Sequence, residues 1–257
     1  MIKIIFSDFD ETMLNYNSGD VYFDDYKISI LKKVREKGIK FAIVTGRSIP
    51  FFRQFPNLLE VVDYIIASNG GCIYDVCNDC FIYQLAVDNE DFEKIINYTI
   101  DNAGGFLLNC LGQRYKFGIW QNTECLEYSF DNKSAYEQII LAFDSHKLKD
   151  VIYFIEQFSN ISINNISYYQ EQCIIDINNK AVSKGNAVVW LCKHLGVDLN
   201  DVMAFGDGAN DKSMFEVVSK GIAVGNAVDK LKILSKNVAL DCNHNGIYKY
   251  IEDNILK

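Results

Sequence analysis

Ile4-Ile5-Phe6 runs straight into Ser7-Asp8-Phe9-Asp10-Glu11-Thr12, and this junction limits the possible folds more than any other stretch. A short apolar run that stops at polar residues reads as a strand buried on both faces, the centre of a parallel sheet. Sheets of that kind bind ligands just beyond the carboxyl ends of their strands. Two aspartates one residue apart at that edge repel each other and lose hydration unless a cation or hydrogen bonds compensate. Taken alone, the stretch fits an acidic surface loop as well.

The same pattern recurs along the chain. Residues 39–44 form a second apolar run and end in Thr45-Gly46-Arg47-Ser48, and 63–67 end in Ser68-Asn69-Gly70-Gly71. Residues 202–205 lead into Gly206-Asp207-Gly208-Ala209-Asn210-Asp211, and 222–224 into Gly225-Asn226-Ala227, with a last strand at 237–240. Amphipathic segments at 26–37 and 184–195 stop where Gly38 and Gly196 supply left-handed caps, and 246–255 reads as a closing helix. Strands and helices that alternate, with every polar payload on one edge, give a doubly wound α/β sheet.

The pattern breaks in the middle. Residues 73–76 and 81–83 flank Cys77-Asn78-Asp79-Cys80 and read as a hairpin turning at Asn-Asp, which explains this C-x-x-C spacing better than a zinc or redox site. From 86 to 178, helix-like segments (92–103, 134–144) mix with strand-like ones (115–120, 161–168, 173–177), and none ends in a phosphate-type loop. We read 86–178 as an inserted α+β domain, and 1–85 with 179–257 as one doubly wound parallel-sheet core.

Composition narrows the function. A net charge of −9 lacks the basic footprint of a general nucleic-acid binder, so an anionic substrate must be drawn by a local cation cluster. The N-terminal run is broken by Asp8, Asp10 and Glu11, unlike a signal peptide, and no stretch reaches membrane-spanning length. Cys72, Cys173 and Cys192 lie in apolar runs and read as small core residues, and His146, His194 and His244 as surface residues. A cytoplasmic protein without nucleic-acid or membrane partners, monomeric or weakly dimeric, is expected.

Asp8 with Asp10, Thr45, Lys184, and Asp207 with Asn210 and Asp211 then converge on one sheet edge. Phosphoryl transfer needs these residue types. One carboxylate attacks phosphorus, a second handles the proton of the leaving alcohol, and a lysine with hydrogen-bond donors holds the transferring oxygens. So many acids would repel a phosphate dianion, which calls for a hard divalent cation such as Mg2+.

These motifs, in this order and with Ser183-Lys184-Gly185, resemble the haloacid dehalogenase superfamily, specifically its Cof-type phosphatases with an inserted α/β cap. Asn69-Gly70-Gly71, Val224-Gly225-Asn226-Ala227 and Asn245-Gly246-Ile247 match that subfamily as well, and over the insertion the likeness is one of position and length. The resemblance implies Asp8 as nucleophile and Asp10 as acid/base. It implies Mg2+ on the Asp8 carboxylate, the Asp10 carbonyl and the Asp207 carboxylate. Phosphoryl oxygens would rest on Thr45, the Gly46 N–H, Asn210 and Lys184, with Asp211 supporting Lys184 from behind. Asn69 is a further candidate, and Arg47 reads equally as a phosphate contact or a salt-bridge partner. Glu11 stands where the subfamily usually has glycine, and a third carboxylate facing the phosphate would weaken binding, so its side chain is expected to point away.

The implied activity is magnesium-dependent hydrolysis of a small phosphorylated metabolite, a sugar phosphate first and a phosphorylated cofactor such as FMN or pyridoxal phosphate second. A phosphotransferase or mutase would need a second cationic cluster in the insertion, where Arg114, Tyr115, Lys116 and Trp120 form the only compact group. A non-catalytic phosphate-binding regulator is the third reading, and the presence of Asp8, Asp10 and Lys184 argues against it.

Overall fold

The computed structural model describes residues 1–14, 22–118, 125–129 and 134–257. Trp120 and most of the polar stretch 15–24 lie outside them. The chain divides into two compact units, Met1–Ile82 with Ser183–Lys257, and Tyr83–Val182.

The first unit begins with β1 (Ile4–Ser7), α1 (Asp25–Glu36), β2 (Lys40–Val44), the short α2 (Pro56–Leu59), β3 (Tyr64–Ala67), β4 (Cys72–Asp75) and β5 (Cys80–Gln84). The second unit contributes α3 (Asn89–Asp101), β6 (Gly105–Cys110), β7 (Gln113–Phe117), β8 (Leu126–Glu127), β9 (Gln138–Asp144), α4 (Leu148–Ile155), β10 (Ile161–Tyr169) and β11 (Gln172–Asn179). The chain then resumes the first unit with α5 (Lys184–Leu195), β12 (Val202–Gly206), α6 (Lys212–Val217), β13 (Lys220–Ala223), α7 (Asp229–Leu234), β14 (Asn237–Val238) and α8 (Gly246–Ile251).

Eight strands make the first sheet, in the order β14-β13-β12-β1-β2-β3-β4-β5. The first six are parallel to their neighbours, whereas β4 runs antiparallel to β3 and opens the hairpin read from the sequence. All four residues of β1 are buried, as a strand covered on both faces requires. The parallel strands reverse direction of addition between β1 and β12, which makes the crevice beyond those two carboxyl ends the switch point where such sheets bind ligands.

Local chemistry sets the helix ends. Asp24 caps α1 by accepting from the Lys27 N–H at 2.9 Å, and Ser183 caps α5 by accepting from the Asn186 N–H at 3.0 Å. Both helices stop at the expected glycines, Gly38 and Gly196, which take left-handed φ of 73° and 65°.

The second unit has its own six-stranded sheet, β10-β11-β9-β6-β7-β8. Phe92, Ile95 and Ile96 of α3 and Val151 and Ile155 of α4 pack with Phe106, Leu108, Ile139, Leu141, Phe143, Cys173, Ile175 and Ile177 into one core. The helix expected at 134–144 is wrong: Gln138–Asp144 is β9, an inner strand of this sheet. Its run Ile139-Ile140-Leu141-Ala142-Phe143 is apolar throughout, so periodicity could not separate helix from strand, and pairing on both edges decides it.

Along β11 the alternate residues carry polar groups away from that core. Asn109, Gln138 and Asn178 are buried, with the Asn109 amide donating to Gln138 at 2.6 Å and the Asn178 amide to the Glu137 carbonyl at 2.6 Å. Burial pushes the Asp176 carboxyl up from 3.8 to about 6, against the opposing pull of the Arg114 charge. A raised carboxyl pKa means the folded chain holds the proton more tightly than the unfolded one. Its stabilising effect is complete below about pH 4 and is lost as pH climbs through about 6. Asp176→Asn, neutral at every pH, is therefore expected to raise the melting temperature at pH 7.5 and leave it unchanged at pH 4, as thermal scans at the two pH values would show.

Candidate active site

Asp8 follows β1, and its N–H continues the parallel ladder by donating to the Phe205 carbonyl at 3.0 Å. Phe9, fully buried, turns the other way into a cluster with Phe23, Phe51, Phe52 and Phe55, its ring centroid 5.0 Å from that of Phe52. This anchor fixes the chain between the two aspartates, so that they part company: Asp8 is buried and Asp10 half-exposed.

Lys184, the first residue of α5, lies 1% exposed with its ammonium 2.5 Å from Asp8 Oδ1 and 2.6 Å from Asp211 Oδ1. The other Asp211 oxygen accepts from the Asp207 and Gly208 N–H groups, each at 2.9 Å. Residue 206 has to be glycine for this arrangement, because a Cβ there would come within 2.6 Å of the Asp211 carboxyl carbon. Asp207 accepts from the Thr12 hydroxyl at 2.9 Å. The carboxylates of Asp8, Asp207 and Asp211 offer oxygens that all lie within 4.8 Å of one another.

Three acids and one lysine set the electrostatics. Burial pushes the Asp8 carboxyl well above its ordinary value, the Lys184 charge pulling it back and Asp211 and Asp207 adding to the rise. Asp207 is raised for the same reasons, burial first and Asp211 next. Burial alone would lower Lys184, but the charges of Asp211 and Asp8 hold its ammonium above the usual range. Asp211 is saturated by Lys184 and two N–H groups, which leaves Asp8 and Asp207 as the donors suited to a cation. Their hard carboxylate oxygens fit a small divalent ion such as magnesium.

The remaining candidates line the neighbouring strand ends. Thr45 is buried after β2, its hydroxyl accepting from the Arg47 N–H at 3.1 Å and its carbonyl from the Asn69 N–H at 2.9 Å. The Asn210 amide donates to the Asn69 side chain at 3.4 Å, and Gly46 lies against that same Asn69 amide. The Asp10 carboxylate stays out of the acidic cluster. Arg47 grips it through Nε at 3.1 and 3.2 Å and Nη2 at 2.8 Å, while its guanidinium sits 4.6 Å from the Phe51 ring centroid. Of the two sequence readings of Arg47, the salt bridge is the one this geometry contains. Glu11 directs its carboxylate to the Cys242 thiol at 3.8 Å, away from the cluster. Its φ of 57° explains why glycine suits that position.

Thr12 and Asn226 are the contributors that sequence reasoning passed over. Both belong to recognised motifs, but nothing in a linear sequence tells which way a hydroxyl or an amide points.

Removing the buried cation should unmask the repulsion it balances. Lys184→Met is expected to destabilise the protein by about 3–5 kcal/mol at pH 7, because two buried carboxylates lose their partner. The loss should shrink as pH falls and those carboxylates take up protons, which urea denaturation at pH 7 and pH 5 would measure.

A family model of haloacid dehalogenase-like hydrolases matches residues 5–251. A putative phosphatase of Buchnera aphidicola subsp. Baizongia pistaciae is 29% identical over 251 residues, covering 90% of each chain. The phosphoglycolate phosphatase of Methanobrevibacter smithii is 25% identical over 232 residues, covering 88% of each. Among solved structures, a HAD subclass IIB sugar phosphatase superposes with a TM-score of 0.79 at 21% identity, covering 99% of this chain and 100% of that one, a likeness of fold. With the family match spanning nearly its whole length, the chain belongs to the haloacid dehalogenase-like hydrolases.

Proposed function

We propose that this hydrolase is a Cof-type phosphatase that cleaves small phosphorylated metabolites, sugar phosphates foremost, through an aspartyl-phosphate intermediate with magnesium bound. The observation that carries the reading is the buried Lys184 held between Asp8 and Asp211 with Asp207 alongside. A lysine at that position opposes the rise that burial imposes on Asp8, and so favours the ionised form that a nucleophile needs.

In this reading an Asp8 oxygen attacks phosphorus and the bond from phosphorus to the leaving oxygen breaks. Asp10 gives that oxygen its proton, then takes one from the water that attacks the phosphorus of the intermediate and restores Asp8. Lys184, the Thr45 hydroxyl, the Gly46 N–H and the Asn210 amide hold the transferring oxygens. Arg47 holds the Asp10 carboxylate before substrate arrives; a phosphate dianion competes for the same guanidinium, and the released Asp10 takes up from solvent the proton that it then gives the leaving oxygen. Magnesium, held by Asp8, Asp207 and the Asp10 carbonyl, would neutralise the charge that these acids present to the phosphate.

The sugar-phosphate preference draws on the fold shared with the subclass IIB sugar phosphatase, and the phosphatases named among the relatives support the reaction class. No residue of the proposed chemistry comes from the second unit, and we assign that unit the choice of leaving group.

Two measurements test this. Asp8→Asn should abolish hydrolysis of p-nitrophenyl phosphate with the circular dichroism spectrum unchanged, because an amide of equal volume cannot attack phosphorus. Wild-type activity against a panel of phosphorylated metabolites should vanish in excess chelator and return with magnesium, with calcium failing to replace it. Full activity in chelator would exclude the metal-assisted reading.

A further inference from the structure

Two motifs remain outside the chemistry above: Val224-Gly225-Asn226-Ala227 after β13, and Asn245-Gly246-Ile247 at the start of α8. The side chain of Asn226 connects them to the loop that carries Asp10. Its Nδ2 donates to the Glu11 carbonyl at 2.8 Å, and its Oδ1 accepts from the Cys242 N–H at 3.0 Å. With both ends engaged, the amide has one orientation only.

The Cys242 end is firmly braced. Ala239 donates to the Ala223 carbonyl at 2.8 Å, Gly225 to Leu240 at 3.2 Å, and Gly246 to Asp241 at 3.1 Å. Gly246 packs so closely there that a Cβ would fall within 1.8 Å of the Leu240 carbonyl oxygen. The closing motif thus secures residues 240–246 against β13, and Asn226 passes that rigidity to the Glu11 carbonyl.

The Glu11 end is where a grip has most effect. Glu11 sits at φ 57°, a left-handed conformation that a side-chain-bearing residue adopts at a cost of about 1–2 kcal/mol. Peptide units are planar, so the Asp10 and Glu11 carbonyls are related only through the two backbone angles of Glu11. Holding the Glu11 carbonyl in place therefore restricts the directions open to the Asp10 carbonyl.

We propose that Asn226 is a positioning residue for the Asp10 backbone carbonyl and, through it, for the divalent cation. The inference rests on the reading above, in which that carbonyl is a metal ligand. Residues that orient a ligand from one layer out typically change metal affinity by about 10–100-fold when removed. Asn226 is exposed on one side, where water competes for its bonds, so the low end of that range applies. The same exposure makes its substitution tolerable to the fold.

The test is calorimetric titration of magnesium into the wild-type protein, Asn226→Ala and Asn226→Gln, with no substrate present. The Ala variant should bind about tenfold more weakly than wild type while melting within a few degrees of it. The Gln variant, which retains both amide groups on a longer arm, should recover part of the affinity. Wild-type affinity in Asn226→Ala overturns the proposal. So do Ala and Gln variants that are equally weak and melt much lower, because the amide is then only a brace for the fold. If the wild-type protein binds no magnesium, the functional reading fails and takes this inference with it. Wild-type binding with an unchanged Ala variant removes the inference alone.

Discussion

A lysine ammonium enclosed at 1% exposure between two carboxylates is an expensive object, and the fold of the first unit is arranged to support it. Taking such charges out of water costs several kcal/mol per ion, and their attraction offsets that only when every remaining bond is made. Here Asp211 receives two backbone N–H groups as well as Lys184, and Asp207 receives the Thr12 hydroxyl. Each partner comes from a different piece of chain, so the ion cluster joins the ends of β1 and β12 and the first turn of α5. A well-packed apolar core at this place would be no less stable. What the ions supply is a carboxylate in a low-dielectric crevice with a lysine beside it that favours its charge.

Around that cluster the aromatic residues do a different job. Phe9 is pulled into rings from residues 51–55, and the same Phe51 that packs on Phe9 carries the Arg47 guanidinium. The side chain between the two aspartates and the cation on the second aspartate therefore share one support. Packing sets the separation of Asp8 and Asp10 into a buried and a half-exposed environment.

Much of this was legible in the sequence, for a definite reason. Buried parallel strands are short apolar runs, and the polar residues that end them mark the ligand edge, so β1, β2, β3, β12 and β13 and the gathering of Asp8, Lys184, Asp207 and Asp211 could be read from pattern and order. The hairpin of β4 and β5 was equally readable from its Asn-Asp turn. Inside the second unit the signal fails. β9 is apolar from Ile139 to Phe143 and reads as readily as a helix, and β6 and α4 are not singled out at all. Side-chain direction was harder still. The grip of Arg47 on Asp10, the turn of Glu11 toward Cys242 and the bridging amide of Asn226 depend on backbone angles near φ 57° and on loops that meet only after folding.

The position of β1 between β2 and β12 has a consequence for how the molecule is made. During synthesis Ile4–Ser7 emerges before β2 and can pair with it soon after, but its other edge must wait for β12. The second unit, continuous in sequence, is complete before that strand exists. Lys184 and Asp8 are 176 residues apart, so the ion cluster can close only after the second unit has been made. Loop closure over such distances is slow, and an open edge of an apolar strand is prone to pairing with the wrong partner in the interval. The strand that carries Asp8 thus keeps one edge unpaired until β12 has been made.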